Sequence, residues 1–440
     1  MSLREFIRKA SEQGDLVTIK RPVDTDLELA NVAHALEGKP ILFEQIKDYP
    51  GWRVFSGQCA DRGFFSLDLG VPASELIHHL AHAVSNPVLP PLIDSALCQE
   101  MISEKVDLFE LPIPLHLPQD AGNYIASNVV IIKDPDLGRN MCYHRLLRLD
   151  QSHFAARIVE NRGTYNAYNK VDGDLPIAIC IGVSQAVHLA ASMSPPSGVD
   201  ELSVANALAP TPLAKCLTKD LEVPADAEIV LEGRITKKKV TEGPFMDLTE
   251  TMDIVRDQPV IEIDLITHRS NPIFHALLPG GLEHKLLMGM PREPTIFTEV
   301  NKVAKCTGAA ITPGGTSWLH AVVQIDKQSP DDGRLAIEAA FRGHGSLKHV
   351  WVVDQDVDIY NPADVEWAMA TRFQADKDLY IYENQPGSSL DPSGTHVPGK
   401  KGRTAKMGLD CTIPWGADSR KFLKGTYGSV NLADYLPDKI

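Results

Sequence analysis

The sequence predicts a chain of α/β class divided into more than one domain, and three observations predict it. Its 440 residues, 43% of them hydrophobic, exceed what a single core usually organises. Strand-like and helix-like runs alternate at both ends of the chain, whereas the middle is a succession of short β-rich runs separated by turn residues.

In chain order, Ser2 precedes Leu3, Phe6, Ile7 and Ala10, which share one helical face, so a capped helix opens the chain. Strands are expected at 16–19 and 40–43 and an amphipathic helix over 72–84. The Pro-rich stretches PVLPPLI and LPIPLHLP end this first unit, placed at 1–105. A second unit, 106–295, holds YIASNVVIIKD, HFAARIVEN, PIAICIGV, AEIVLEGRI and QPVIEIDLITHR, a pattern that predicts an antiparallel sheet or barrel and the candidate site. The uncharged run 175–199 reads as strand, helix and Pro195-Pro196 loop rather than a membrane span, because prolines and serines are costly in lipid. In the third unit, 296–440, strand and helix alternate. Asn361 as N-cap and Pro362 at the first helical position start one of those helices, and the order implies a parallel layer. The last residues, basic at GKKGRTAKMG, are expected to become helical and to wrap a partner subunit.

Charge and cysteine usage narrow the function. With 43 Lys plus Arg against 58 Asp plus Glu, the net charge of -15 disfavours nucleic acid and anionic membrane surfaces. Lys237 to Lys239 and Lys400 to Arg403 are too short to reverse that. The seven cysteines are odd in number and never fall in a Cys-x-x-Cys pair, which argues for reduced thiols and a cytoplasmic protein. The first residues carry charges throughout and show no apolar core of signal-peptide length.

Two motifs carry chemistry. In EGPFMD, Glu242 and Asp247 flank a Gly-Pro turn after a strand, where one acid can stay ionised while the other holds a proton. In RNMCYHR, Asn140 offers a neutral oxygen to a hard metal and Arg145 a fork for a carboxylate. Each alone reads first as a solvated turn or a surface ion pair. His78, His79 and His82 lack the glutamate of a metalloprotease helix and read as structural. Asp354, Asp356 and Asp358 read as a solvated loop before a cation site. Neither a phosphate-binding glycine loop nor a Gly-x-Ser-x-Gly elbow is present.

Taken together, NMCYHR, KCLTKDLEVPADAEIVLEG, EGPFMD and AKMGLDCT, in this order, resemble the UbiD family of reversible decarboxylases. The resemblance implies an N-terminal α/β domain, a central split β-barrel of flavin-reductase type and a C-terminal α/β domain that dimerises. It also implies prenylated FMN, held through Mn2+ (or Mg2+) and K+ and supplied by a separate flavin prenyltransferase. By motif, Asn140, Cys142, Tyr143, Arg145, Ser192, Met193, Glu201 and Lys406 match cofactor-binding positions. Asn140 and Glu201 match metal ligands, and Ser192 and Met193 match backbone positions for the monovalent ion. Asn161 stands where several members carry a metal-binding His, a change that favours oxygen-seeking metals. Arg145, Glu242 and Asp247 match the catalytic trio. In that trio Arg145, paired with Glu242, orients the carboxylate of a small-molecule acid, and a desolvated Asp247 with a raised pKa returns the proton.

PGGLEHKLLMGMPREP falls where the family has a substrate-facing hinge, and here it carries His284, Lys285 and Arg292. Cations there suit a substrate with a second anionic group. A furan dicarboxylate is the first expectation and an isoprenoid-precursor phosphate, anhydromevalonate phosphate, the alternative. A flavin-binding reductase and a non-catalytic cofactor carrier are readings of other classes.

Overall fold

The computed structural model describes residues 1–103, 105–397, 400–425, 427–431 and 434–435. It has the α/β organisation expected, in three sheet-centred units. A four-stranded sheet comes first, in the order Val17–Ile19, Ile41–Phe43, Arg53–Ser56 and Ile273–His275. Helix Leu3–Glu12 packs on it and starts in a capping box between Ser2 and Glu5. Leu3, Phe6 and Ala10 bury against Leu42, Phe55, Phe64 and Ile273, each large side chain contributing about 1.5–3 kcal/mol. The fourth strand arrives from far downstream, while Met101–Ser103 pairs with Arg256–His268 of the next sheet. The first two units therefore exchange strands.

The central sheet has nine strands. Eight follow the order Tyr124–Ile125, Leu146–Arg148, His153–Ala156, Arg256–His268, Ile229–Glu242, Leu175–Ile181, Val129–Asp134 and Gly138–Cys142, and the ninth is Met101–Ser103. Both ends of this order belong to one hairpin: Val129–Asp134 pairs with Gly138–Cys142 near its turn, and Tyr124–Ile125 with Leu146–Arg148 at its base. A break at 126–128 and 143–145 sends the two halves to opposite edges, so the sheet wraps back on itself as a split barrel. The Asn128 amide spans the break, donating to the carbonyls of Ile125 (3.2 Å) and His144 (2.9 Å). Ile177, Ile179, Ile181, Leu231, Ile261 and Ile263 fill one face. On Ile229–Glu242 the register shifts at Glu232/Gly233, where a Cβ would meet the Glu262 carbonyl at 2.2 Å, so only glycine allows this bend.

The last unit is a five-stranded sheet in the order Cys306–Ile311, His320–Ile325, His349–Asp354, Arg403–Asp410 and Leu379–Pro386. Its three inner strands are parallel, as the strand-helix alternation predicts, and both outer pairings are antiparallel. Helices Asp332–Gly343 and Pro362–Arg372 cover it, the second capped by the Asn361 side chain.

Several expectations change. The hinge segment PGGLEHKLLMGMPREP, given no secondary structure from the sequence, is helical, forming Leu282–Gly289, a 3-10 turn Met290–Arg292 and the start of Glu293–Asn301, because Leu286, Leu287 and Met290 have a core to bury in. The C-terminal helix is not formed among the described residues, which show a 3-10 turn at Ser419–Phe422 and irregular chain after it. Gly425 and Gly428 weaken any helix there, while 432–433 and 436–440 lie outside the described residues. Asp354 and Asp356 are not free on their loop: both pair with the buried Arg372 guanidinium, at 2.7 and 2.6 Å, with Asp354 half-buried and Asp356 still exposed as a solvated loop predicts. His78 packs edge-on against Phe297 and His79 contacts the Leu208 carbonyl, the structural roles expected of that helix. No described helix is long and apolar enough to cross a membrane.

Candidate active site

The break in the long hairpin organises the site: Asn140, Met141 and Cys142 end the ladder with Val129–Asp134, and 143–145 leave it before the next strand begins at Leu146. Arg145 closes that stretch. Its Nε donates to Glu242 Oε1 at 2.8 Å and its Nη2 to Glu242 Oε2 at 3.0 Å, a two-pronged pair across the barrel. Nη1 reaches Asp247 Oδ2 at 3.2 Å, and Nη2 also reaches Asp253 Oδ2 at 2.8 Å. The Phe245 ring lies beneath the guanidinium at 5.1 Å. The trio assembled from two sequence motifs is thus one contact cluster, with Arg145 8% and Glu242 0% exposed.

Three members of this cluster were not read from the sequence. The Tyr124 hydroxyl donates to Glu242 Oε1 at 3.0 Å. Asp253 is shared between Arg145 and Arg256, the latter gripping both carboxylate oxygens at 2.7 and 2.8 Å. Burial pushes the Arg145 guanidinium toward losing its proton, but pairing with Glu242, Asp253 and Asp247 wins and raises its pKa. Burial opposes ionisation of Asp253 as well, yet Arg256 and Arg145 bring it down to about 2. The sequence signal for these residues was slight: Asp253 and Arg256 stand three apart, and Tyr124 merely begins a β-rich run.

Asp247 is the loosest member. It makes the longest of the bonds to Arg145, its Oδ1 accepts from the Leu248 backbone at 2.6 Å, and its side chain is 24% exposed. The full desolvation expected of it is not found, because it opens the turn that the Glu250 N–H closes on its carbonyl, and Glu250 is exposed. Beside it lies His284, whose pKa is held down by burial while Asp247 pulls the other way. The Gly280 N–H donates to His284 Nδ1 at 3.1 Å, so the neutral ring carries its proton on Nε2 as a donor. Lys285 is committed elsewhere, pairing with Glu250.

Five residues before Arg145, the hairpin builds a second centre. Asn140 Nδ2 donates to Glu201 Oε1 at 3.1 Å and the Met141 N–H to Glu201 Oε2 at 2.9 Å, while Asn140 Oδ1 is buried without a partner. Burial raises the Glu201 carboxyl to about 7, more than the Met141 and Asn140 bonds lower it. Gly163 leaves the space in front of that oxygen open, since a Cβ there would sit 2.6 Å from Asn140 Oδ1. An orphaned amide oxygen beside an unneutralised carboxylate suits a hard divalent cation. Asn161 is exposed, left-handed at φ 60°, and two residues from Gly163, but makes no hydrogen bond to Asn140 or Glu201 among the described residues. Glu201→Gln is expected to lower retained divalent metal by at least about tenfold, read as metal content after gel filtration; unchanged content would remove Glu201 from the ligand set.

The remaining candidates frame these centres. The Cys142 thiol touches Thr164 Oγ1 at 3.2 Å, and burial pushes it up to about 12. The Tyr143 hydroxyl lies 2.6 Å from His188 Nδ1, with the two rings stacked. Ser192 ends helix Gln185–Ser192, its hydroxyl bonded to the carbonyls of His188 and Leu189, and Met193 caps that helix. Lys406, on Arg403–Asp410, donates to the Gly345 carbonyl at 2.7 Å and lines a cleft of about 360 Å³ with Phe341, Arg342, Tyr382 and Lys401. Burial, then Lys401, lowers its ammonium to about 8. Arg292 packs over Trp318 at 5.6 Å, and its Nε is buried without a partner.

Comparison with known proteins makes the chain a carboxy-lyase. Models of the N-terminal, Rift-related and C-terminal domains of 3-octaprenyl-4-hydroxybenzoate carboxy-lyase match residues 7–84, 92–282 and 285–411. The chain therefore belongs to the UbiD family, and the reductase and carrier readings fall. It is 41% identical over 418 residues to anhydromevalonate phosphate decarboxylase of Methanosarcina mazei, covering 94% of this chain and 96% of that protein. The UbiD-class enzyme HmfF from Pelotomaculum thermopropionicum, solved in complex with FMN, is 37% identical with a TM-score of 0.94, over 99% of this chain and 100% of that one. An evolved dimeric form of HmfF, solved with prenylated FMN, gives 35% and 0.90 over the same shares.

Proposed function

We propose that this UbiD-family decarboxylase uses prenylated FMN to remove CO2 from an α,β-unsaturated acid whose other end carries a phosphate. The observation that supports it most is the buried Arg145–Glu242 pair with Asp247 on the remaining guanidinium arm. Arg145 cannot swing, because both its Nε and Nη2 are committed to Glu242, so an incoming carboxylate meets a fixed donor at Nη1, the arm that Asp247 holds at 3.2 Å. Two guanidinium groups, Arg145 and Arg256, face three carboxylates, Glu242, Asp247 and Asp253. Asp247, the least tightly held of the three, is the carboxyl group placed to deliver a proton to the site. His284 offers a neutral donor beside it.

Asn140 and Glu201 would hold Mn2+ or Mg2+, with Asn161, on the loop before Gly163, a further oxygen donor proposed by motif, and the backbone at Ser192 and Met193 would face K+. When bound, the prenylated flavin would supply the electron sink that decarboxylation needs. A flavin prenyltransferase is its expected source. A homodimer is the expected assembly, supported by the dimeric form of HmfF.

The phosphate reading displaces the furan dicarboxylate expectation because relatives near 40% identity across the whole chain are named as acting on a phosphate-bearing acid. The furan diacid remains the second reading, since Arg292 and His284 would serve either anion. CO2 release should be followed from phosphorylated acids, diacids and monoacids with protein co-expressed with a flavin prenyltransferase. Preference for the phosphorylated acid by about a hundredfold or more in kcat/KM is expected, and faster turnover of the diacid would replace this reading with the second.

A further inference from the structure

Trp318, in the C-terminal unit, gathers polar groups that have no carboxylate to answer them. Its indole Nε1 donates to Ser388 Oγ at 3.1 Å, which fixes the ring. Arg292 lies over it at 5.6 Å, and the His344 imidazole meets it edge-on at 4.5 Å. Lys406 is anchored by its bond to the carbonyl of Gly345, the residue after His344. Arg162, on the barrel loop beside the Asn140 cradle, adds its charge from the facing unit. Among the described residues none of Arg162, Arg292, His344 and Lys406 pairs with an acid, and both Arg292 Nε and His344 Nε2 are buried without a hydrogen-bond partner.

His344 is the odd member. It is 6% exposed, and its other ring nitrogen bonds the Trp318 carbonyl, so the neutral ring presents a bare lone pair at Nε2. Burial, then Arg292, Lys406 and Arg162, holds the imidazole down to about 3. A lone pair is the wrong partner for an anion's oxygen, and a proton on that nitrogen makes it the right one. Once a dianion neutralises the surrounding cations, nothing but burial opposes that proton, and the new ion pair offsets the burial.

We propose that His344 completes an anion site with Arg292 and Lys406, and that it takes up one proton as the substrate's phosphate enters. The proposal rests on the phosphate reading above, and its balance is simple. The proton comes from solvent and forms an N–H bond at Nε2, and no covalent bond in the ligand changes. Nothing in the reaction chemistry at Arg145 requires His344, which makes it a specificity-determining residue rather than part of the trio.

Inorganic sulfate, a dianion without a proton of its own near neutrality, is the probe. Calorimetric titration of the cofactor-loaded protein in buffers of low and high ionisation enthalpy should show about one proton taken up per sulfate. Affinity should fall by about tenfold per pH unit above neutrality. In His344→Gln the proton uptake should vanish and binding weaken by about tenfold or more. In Arg292→Lys, chosen to spare the packing on Trp318, binding should weaken with proton uptake retained. Uptake unchanged in His344→Gln, or absent in the parent protein, would overturn the proposal. An unchanged KM for the phosphorylated acid in an active His344→Gln would likewise overturn it while leaving the proposed function standing. Turnover of diacids alone would instead remove the proposed function, and the sulfate titration would then show whether the site serves a carboxylate.

Discussion

Glu242→Gln is expected to cut turnover by about 10²–10³-fold while leaving the protein folded. The amide keeps the shape of the side chain and one acceptor, but the two-pronged grip on Arg145 becomes a single neutral bond. The guanidinium then drifts toward Asp253 and Asp247, which already hold its other arms at 2.8 and 3.2 Å. Because those carboxylates remain, Arg145 is not left as an orphaned buried charge. The stability loss should therefore be about 1–3 kcal/mol rather than the ~3–5 kcal/mol of a fully broken buried pair. Steady-state kinetics and urea unfolding measure the two effects together. Turnover within about tenfold of the parent would mean that Arg145 is positioned by something other than Glu242.

Asp247→Asn should lower turnover by about 10²–10⁴-fold, the usual worth of a positioned general acid, with flavin and metal content unchanged. Asp247 touches neither Asn140 nor Glu201, and its partners are Arg145, the Leu248 N–H and the turn around Thr251. Asparagine retains the acceptor for Leu248 and loses only the exchangeable proton. The spectrum of the bound flavin and the metal content report an intact site, while CO2 release reports the chemistry. Asp247→Glu, with its acid one methylene displaced, should recover part of the rate. Parent-like turnover in Asp247→Asn would remove this residue from proton delivery.

Most of what the sequence revealed of the site was local. Asn140, Cys142, Tyr143 and Arg145 fall within six consecutive residues, and Glu242 and Asp247 flank one turn, so short motifs carried them. Tyr124, Asp253 and His344 were missed because each enters from a different strand or helix and reaches the site only through pairing that no nearby residue announces. Elements were legible for the same reason. The Ser2 and Asn361 caps sit beside the runs they start, and the alternating isoleucines of 175–181 declare a strand. The helices of 282–301 were not legible, because the glycines and prolines there hide a helical run until Leu286, Leu287 and Met290 meet the core formed with Leu76 and Leu80. Glycine and proline report local backbone freedom, and tertiary burial overrode it.

The bent hairpin has a consequence for how such a protein changes over generations. One ribbon, 124–148, carries Arg145, Tyr124 and Asn140, proposed here as the donor for the carboxylate, its brace and an oxygen ligand for a metal, while Arg292, His344 and Lys406 sit on separate elements outside it. On the proposed roles, substitutions in the ribbon would strike the reaction itself. Substitutions around Trp318 would instead change which far end of a molecule is accepted. The proposed division would let the accepted acid change one wall at a time while bond breaking stays where it is.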